Sequence, residues 1–193
     1  MQRNFVALRV RSLPIDEGRA NSRLSSGGVE PPLHSFRQSA RGVLMRFDGT
    51  VSIKASREKV WNFLTDPQKV SGCAPGLEKL EIVEPGKKFR ATTSVGFGSV
   101  KVRFVNDVEW VEMDAPNLAR MKAHGTAPGS GVDAQTSMAL TDGRDGATDL
   151  AWTADVQVVG TVASLAARLM GGVTKKLTAA FFDSVKKEIE ASA

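Results

Sequence analysis

Hydrophobic and polar positions alternate along most of the chain past residue 45. In Val100–Val111 the even positions read Val, Val, Phe, Asn, Val, Trp, and the odd positions read Lys, Arg, Val, Asp, Glu, Val. A period of two buries one face of a strand and leaves the other wet, as in an antiparallel sheet. Six further segments repeat the pattern. Their expected inward sets are Phe47, Val51 and Ile53; Leu80 and Ile82; Phe89, Ala91, Val95 and Phe97; Ala119, Met121 and Ala123; Ala134, Met138 and Leu140; and Leu150, Trp152, Ala154, Val156 and Val158. Pro85-Gly86, Gly98-Ser99, Pro128-Gly129 and the run from Asp142 to Gly146 are turn signals between them.

The period changes in two places. After Ile53, Ser56 suits the N-cap of a short helix that carries Val60, Trp61 and Leu64 on one face. Asp66 caps a second, with Pro67 at its first position, where a missing N–H costs nothing. From about Thr161 to Ala191 the apolar spacing is helical, with Val162, Leu165, Ala166, Leu169, Val173, Leu177 and Ala180 in one stripe. Gly171-Gly172 falls mid-helix and allows a kink or hinge. The expected fold is α+β. A seven-stranded curved antiparallel sheet carries two short helices after its first strand and a long C-terminal helix across it.

The inward face predicts an apolar ligand or an apolar core. None of its strand positions is ionisable, and its polar members are Thr93, Asn106 and Thr136. Gly49, Ala91, Ala119, Ala123, Ala134 and Ala154 are small and leave room. Phe97, Phe104, Trp110, Met121, Met138 and Trp152 are the large side chains among them. Apolar cavities with a few placed polar groups are typical ligand sites; the same residues also suit a packed core beneath a close helix. Asn106 interrupts an apolar row, and a buried amide needs partners. They are either neighbouring backbone or a carbonyl oxygen of a ligand.

Composition adds exclusions. One cysteine, Cys73, rules out an internal disulfide framework. No apolar run is long enough to span a bilayer as a helix. The net charge of +5 is uneven: residues 1–44 hold seven Arg and three acids, and the remainder has 19 basic and 18 acidic residues. The nearly neutral remainder offers no large footprint for nucleic acid. Residues 1–44, with their SSGGVEPPL stretch, read as a disordered extension outside a domain at 45–193. An organelle leader and a native tail are alternatives to the preferred reading, a translation start assigned too early, with Met45 the true one.

Catalytic signatures are sparse. His124 falls on the outward parity beside Arg120 and Lys122. Gly96-Phe97-Gly98 leads into a strand, which breaks the dinucleotide-binding pattern. Cys73 has no recognisable base nearby and reads as a packing residue, and the chain has no Tyr.

Several motifs occur in a telling order: Phe47-Asp48-Gly49, then Val60-Trp61-x-x-Leu64-x-Asp66-Pro67, then Ala74-Pro75-Gly76. Thr153 to Gly160 lead into the run from Leu165 to Leu169, and Ala180-Phe181-Phe182 follows. With these the chain resembles the carbon monoxide dehydrogenase G-subunit family of the START-like, or SRPBCC, helix-grip superfamily. The resemblance implies a non-catalytic accessory protein of a bacterial molybdenum hydroxylase of CO dehydrogenase type. It implies a lipid or quinone ligand and no covalently bound cofactor. It also implies a link between the enzyme and the membrane, hence a cytoplasmic protein peripheral at the inner face of the cell membrane. A membrane-docking protein without cargo and a START-like cyclase or hydratase are the alternatives.

On this reading the ligand wall comprises Trp61, Phe97, Phe104, Asn106, Trp110, Met121, Met138, Trp152, Leu165, Leu169, Val173, Leu177 and Phe181. Membrane contact falls to Val162, Arg168, Met170, Lys175 and Lys176, and the competing reading has this helix face covering the sheet. No metal site is expected.

Overall fold

The computed structural model describes residues 9–12, 42–97 and 99–191; the side chains of 9–12, 97 and 165–171 are outside the description. The chain runs β1 (Arg9–Ser12), β2 (Val43–Ile53), α1 (Arg57–Leu64), α2 (Pro67–Ser71), β3 (Leu77–Glu84), β4 (Lys88–Phe97), β5 (Val100–Asp114), β6 (Leu118–Ala127), β7 (Ser130–Asp142), β8 (Thr148–Gly160) and α3 (Thr161–Ala191). The sheet order is β1-β2-β8-β7-β6-β5-β4-β3, and every neighbouring pair is antiparallel. From β3 to β8 the strands form a meander, and β8 then pairs with β2.

The turn chemistry sets this register. Phe97 pairs with Val100 across Gly98-Ser99, and Ala127 pairs with Ser130 across Pro128-Gly129. Gly129 has φ +68, the left-handed conformation such a short loop needs. The helix caps form as expected: Ser56 Oγ accepts from Lys59 N at 3.4 Å, and Asp66 Oδ1 accepts from Gln68 N at 3.0 Å.

Three details differ from expectation. Arg9–Ser12, placed by the sequence outside the folded domain, add an eighth strand, with Arg9 opposite Asp48 and Ser12 opposite Met45. Ile82 and Val100, expected inside, are exposed. Ile82 lies on the outermost strand, β3, with a sheet neighbour on one side only, and Val100 sits at the end of the β4–β5 hairpin, opposite Phe97. Ala180, placed on the helix stripe, is also exposed. Val162, the first residue of that stripe, is buried and Val173 and Leu177 are partly buried, while Leu165, Ala166 and Leu169 lie outside the described side chains; past the stripe, Phe182, Val185 and Ile189 add a buried row one turn apart.

The core divides into two clusters, one under each end of α3. One joins Val51, Ile53, Val60, Trp61, Leu64, Leu140 and Leu150 to Phe182, Val185 and Ile189. The other joins Met45, Phe47, Phe104 and Val158 to Val162 and Ala163. Polar bonds fix the same two ends. Val162 N donates to Ser130 Oγ at 3.0 Å, and Lys54 N donates to Glu190 Oε1 at 2.9 Å. Between these anchors the helix spans the concave face of the sheet.

Candidate functional site

Two cavities lie between α3 and the sheet. The first has a volume of about 450 Å³. Its floor is the inward row of the sheet: Phe89, Trp110, Ala119, Met121, Thr136, Met138, Leu150, Trp152 and Ala154. Its roof is Leu177, Thr178, Phe181 and Phe182 of α3. Its end wall comes from the capped helices and the loop after them, through Leu64, Pro67, Val70, Ala74 and Pro75. The second cavity, about 330 Å³, lies toward the start of α3. Phe47, Thr93, Val95, Phe104, Asn106, Val132, Val156 and Val158 line it from the sheet, and Val162, Thr174 and Thr178 from the helix. Trp152, Ala154 and Thr178 belong to both.

Among the described residues neither lining contains an ionisable side chain. The aromatic roof is packed edge to face, with Phe181 and Phe182 ring centroids 5.1 Å apart at 71°. Phe182 also lies 5.7 Å from Trp152 between centroids. Asn106 Nδ2 donates to Ala91 O at 2.9 Å and to Thr93 Oγ1 at 3.0 Å. Both amide hydrogens are therefore used within the protein, which selects neighbouring groups over a ligand carbonyl as their acceptors. The indole N–H of Trp152 is buried and has no partner.

The predicted wall residues fall in several places. Trp110, Met121, Met138, Leu177 and Phe181 line the first cavity, Phe104 and Asn106 the second, and Trp152 both. Trp61 lines neither. It is buried in the core cluster under the helix end, one turn away from Leu64, which does reach the cavity. Val173 is partly buried but lines neither cavity. The side chains of Phe97, Leu165 and Leu169 lie outside the described residues, as do those of Arg168 and Met170. Val162, assigned to the membrane, is buried against Phe47 and Phe104, because the start of α3 docks on the sheet. Lys175 and Lys176 are exposed.

Sequence reasoning missed the end wall of Pro67, Val70, Ala74 and Pro75, and also Val132, Thr178 and Phe182. Parity could have found Val132, two residues before Ala134. The proline loop has no period to read, and its position follows only from the fold.

The charged groups lie on the outer face of the sheet, where cross-strand neighbours alternate in sign. Arg90 Nε meets Asp107 Oδ1 at 2.7 Å, Arg120 meets Glu112 at 2.6 Å, and His124 Nδ1 meets Asp133 Oδ1 at 2.6 Å. Lys122, which bonds Glu109 from the next strand, holds its carboxyl below the ordinary range. Cys73 is buried in the core, and desolvation, with Glu188 adding to it, pushes its thiol above the ordinary value. Among the described residues no group of three or more His, Cys, Asp and Glu is placed to hold a metal. No described helix is long and apolar enough to cross a membrane.

The family model of the carbon monoxide dehydrogenase G-subunit, CoxG, matches residues 49–190. The chain belongs to the CoxG family. The matched span takes in the proline loop, the whole meander from β3 to β8 and nearly all of α3, and so every cavity-lining residue except Phe47. Among solved structures, a conserved protein from Geobacillus kaustophilus is 31% identical, with a TM-score of 0.70 over 76% of this chain and 96% of that one. An aromatase/cyclase from Streptomyces shares the fold at 19% identity and a TM-score of 0.60, covering 76% of this chain and 94% of its own. Norcoclaurine synthase from Thalictrum flavum, solved with dopamine and hydroxybenzaldehyde, shares it at 15% identity and a TM-score of 0.55, over 88% and 99%. No curated protein matches the chain. The CoxG domain is thus a helix-grip fold.

Proposed function

We propose that this CoxG-family protein is a non-catalytic carrier that holds an apolar lipid or quinone between α3 and the sheet. The observation that carries the reading is the chemistry of the two cavities, whose described linings are apolar side chains, hydroxyls and one amide. General acid–base catalysis needs a titratable group at the reacting atoms, and these linings supply none. This favours a carrier over the cyclase or synthase activity named for two of the structural neighbours.

The family name carries the rest of the proposal. The partner is a molybdenum hydroxylase of CO dehydrogenase type, and the protein works at the inner face of the cell membrane without crossing it. Exposed Lys175 and Lys176, on the stretch of α3 between its two anchored ends, suit contact with anionic head groups. Native mass spectrometry after mild extraction from the source cells tests the carrier. A co-purifying lipid or quinone mass, released on denaturation, supports it; a protein that is always empty, yet sediments with anionic vesicles, makes it a docking protein instead.

A further inference from the structure

On the outer face of the sheet, acids and bases alternate along one row that crosses from β3 to β7. Glu81 stands opposite Arg90, Arg90 opposite Asp107, Asp107 opposite His124 and His124 opposite Asp133. Unlike charges at directly opposed positions stabilise a strand pair, and like charges weaken it. The row stops at Glu81 because β3 is the last strand of the sheet. Among the described residues nothing pairs with the outer edge of β3, and Ile82 and Val83 on that strand are exposed. Such an edge offers unpaired N–H and C=O groups to another strand.

The charges of β3 decide which strand fits there. Between its two irregularities β3 pairs with β4 without a break from Lys79 to Ile82. A second, antiparallel β3 centred on Leu80 sets Lys79 of each copy opposite Glu81 of the other. The alternating row then continues through the edge in both directions. Lys79 Nζ already meets Glu81 Oε1 of its own strand at 2.9 Å, so pairing closes four groups into a square of alternating sign. Neighbouring registers fail. Centring on Lys79 opposes the two Lys79 side chains, and centring on Glu81 opposes the two Glu81 and sets Glu78 against Glu84. Centring between either of these and Leu80 puts Leu80 opposite a charge. We propose that the outer edge of β3 pairs with β3 of a second copy about a two-fold axis at Leu80. Each contact occurs twice, as in any isologous dimer. Positions of like parity meet, so the two sheets join with both α3 helices on the same side. This brings the exposed Lys175 and Lys176 of both copies to one side of the dimer. No residue of β3 lines either cavity, so the proposal stands apart from the carrier reading.

Sedimentation equilibrium of the full chain tests it. The wild type should dimerise with a dissociation constant between about 1 μM and 1 mM, the range of a small edge-to-edge contact. Glu81→Lys sets like positive charges across the axis, and Lys79→Glu sets like negative ones. Each variant alone should dimerise at least about tenfold more weakly. An equimolar mixture of the two should form a heterodimer at least as tight as the wild-type dimer, because every opposed pair is then of unlike sign. Recovery in the mixture also shows that both variants are folded. Lys79→Glu combined with Glu81→Lys in one chain exchanges the signs and keeps the pairs, so dimerisation should return. A wild type that stays monomeric up to about 1 mM overturns the proposal and leaves the edge to a different protein. A dimer that both single variants leave intact forms through another surface and overturns it equally. A dimer lost in the single variants and not regained in the exchanged chain overturns the register centred on Leu80.

Discussion

Asn106 and Thr93, the two polar residues that face the second cavity from neighbouring strands besides the shared Trp152, are hydrogen-bonded to each other at 3.0 Å. The second amide hydrogen of Asn106 goes to Ala91 O at 2.9 Å. The amide that interrupts the apolar row thus closes on the sheet itself. Asn106→Leu should therefore destabilise the protein by about 1–3 kcal/mol, because it strips a donor from Ala91 O and Thr93 Oγ1. Urea unfolding measures the loss. Affinity for N-phenyl-1-naphthylamine should stay within about twofold, since no other donor is lost from the wall. Unchanged stability with a large fall in affinity would give the amide back to the ligand.

Gly125 is the next partner in this arrangement. It sits opposite Asn106 on β6, and a Cβ built there would fall on Asn106 Oδ1. Gly125→Ala must displace an amide held by two hydrogen bonds, at a cost of about 1–3 kcal/mol. The cost should be absent when Asn106 is already Ala, so the double variant should be no less stable than Asn106→Ala. Additive losses would mean that the two positions do not meet.

Cys73 gives a pH dependence with a defined sign. Burial raises its thiol in the folded protein above the unfolded value. Its contribution to stability is then fully present below the unfolded thiol value and is lost as pH rises toward the folded one. Urea midpoints should fall over that alkaline window, and Cys73→Ala should flatten the fall. In the native protein at pH 7, Cys73 should resist 5,5′-dithiobis(2-nitrobenzoate) until denaturant is added, since it is buried.

Much of the sheet was legible in advance because one face is dry. Phe47, Phe104, Trp152 and Val158 occupy the inward rows that a period of two assigns, and the turns hold the pairing from β6 through β8 to β2 in unbroken register, while irregularities shift it in β3–β4 and at Trp110/Glu112 in β5–β6. The same rule failed at Ile82, on the edge strand, and at Val100, at a hairpin end. Periodicity reports parity, and burial also needs a partner across the gap. The site was legible as a surface more than as a volume. Trp61 and Leu64 share one helical face, yet one fills the core and the other reaches the cavity; spacing cannot separate them. The unpartnered donor on Trp152 has no sequence signature at all, because Asn106 was the residue that broke the pattern. The N-cap residues Ser56 and Asp66, by contrast, act through local geometry and were readable from a few neighbours.

Gly172 sits midway along α3 between the two anchored ends, and a Cβ there would meet nothing within 4 Å. Gly172→Ala should raise stability by about 0.5–1 kcal/mol through helix propensity alone. If the helix bends at this position to admit a ligand, stopped-flow uptake of N-phenyl-1-naphthylamine should slow while its equilibrium affinity holds. A loss of stability would mean that the helix backbone depends on glycine at this position.

The carrier reading is tested most directly by filling the junction of the two cavities. Ala154 lines both from β8, and among the described residues neither lining carries a charge. Titration of N-phenyl-1-naphthylamine into the wild type should show saturable binding at one equivalent. Ala154→Trp should weaken it at least tenfold, about 1.4 kcal/mol or more, with the circular dichroism spectrum of the folded protein retained. Equal binding by a folded Ala154→Trp variant, or no saturable binding by the wild type, would contradict a ligand held between α3 and the sheet.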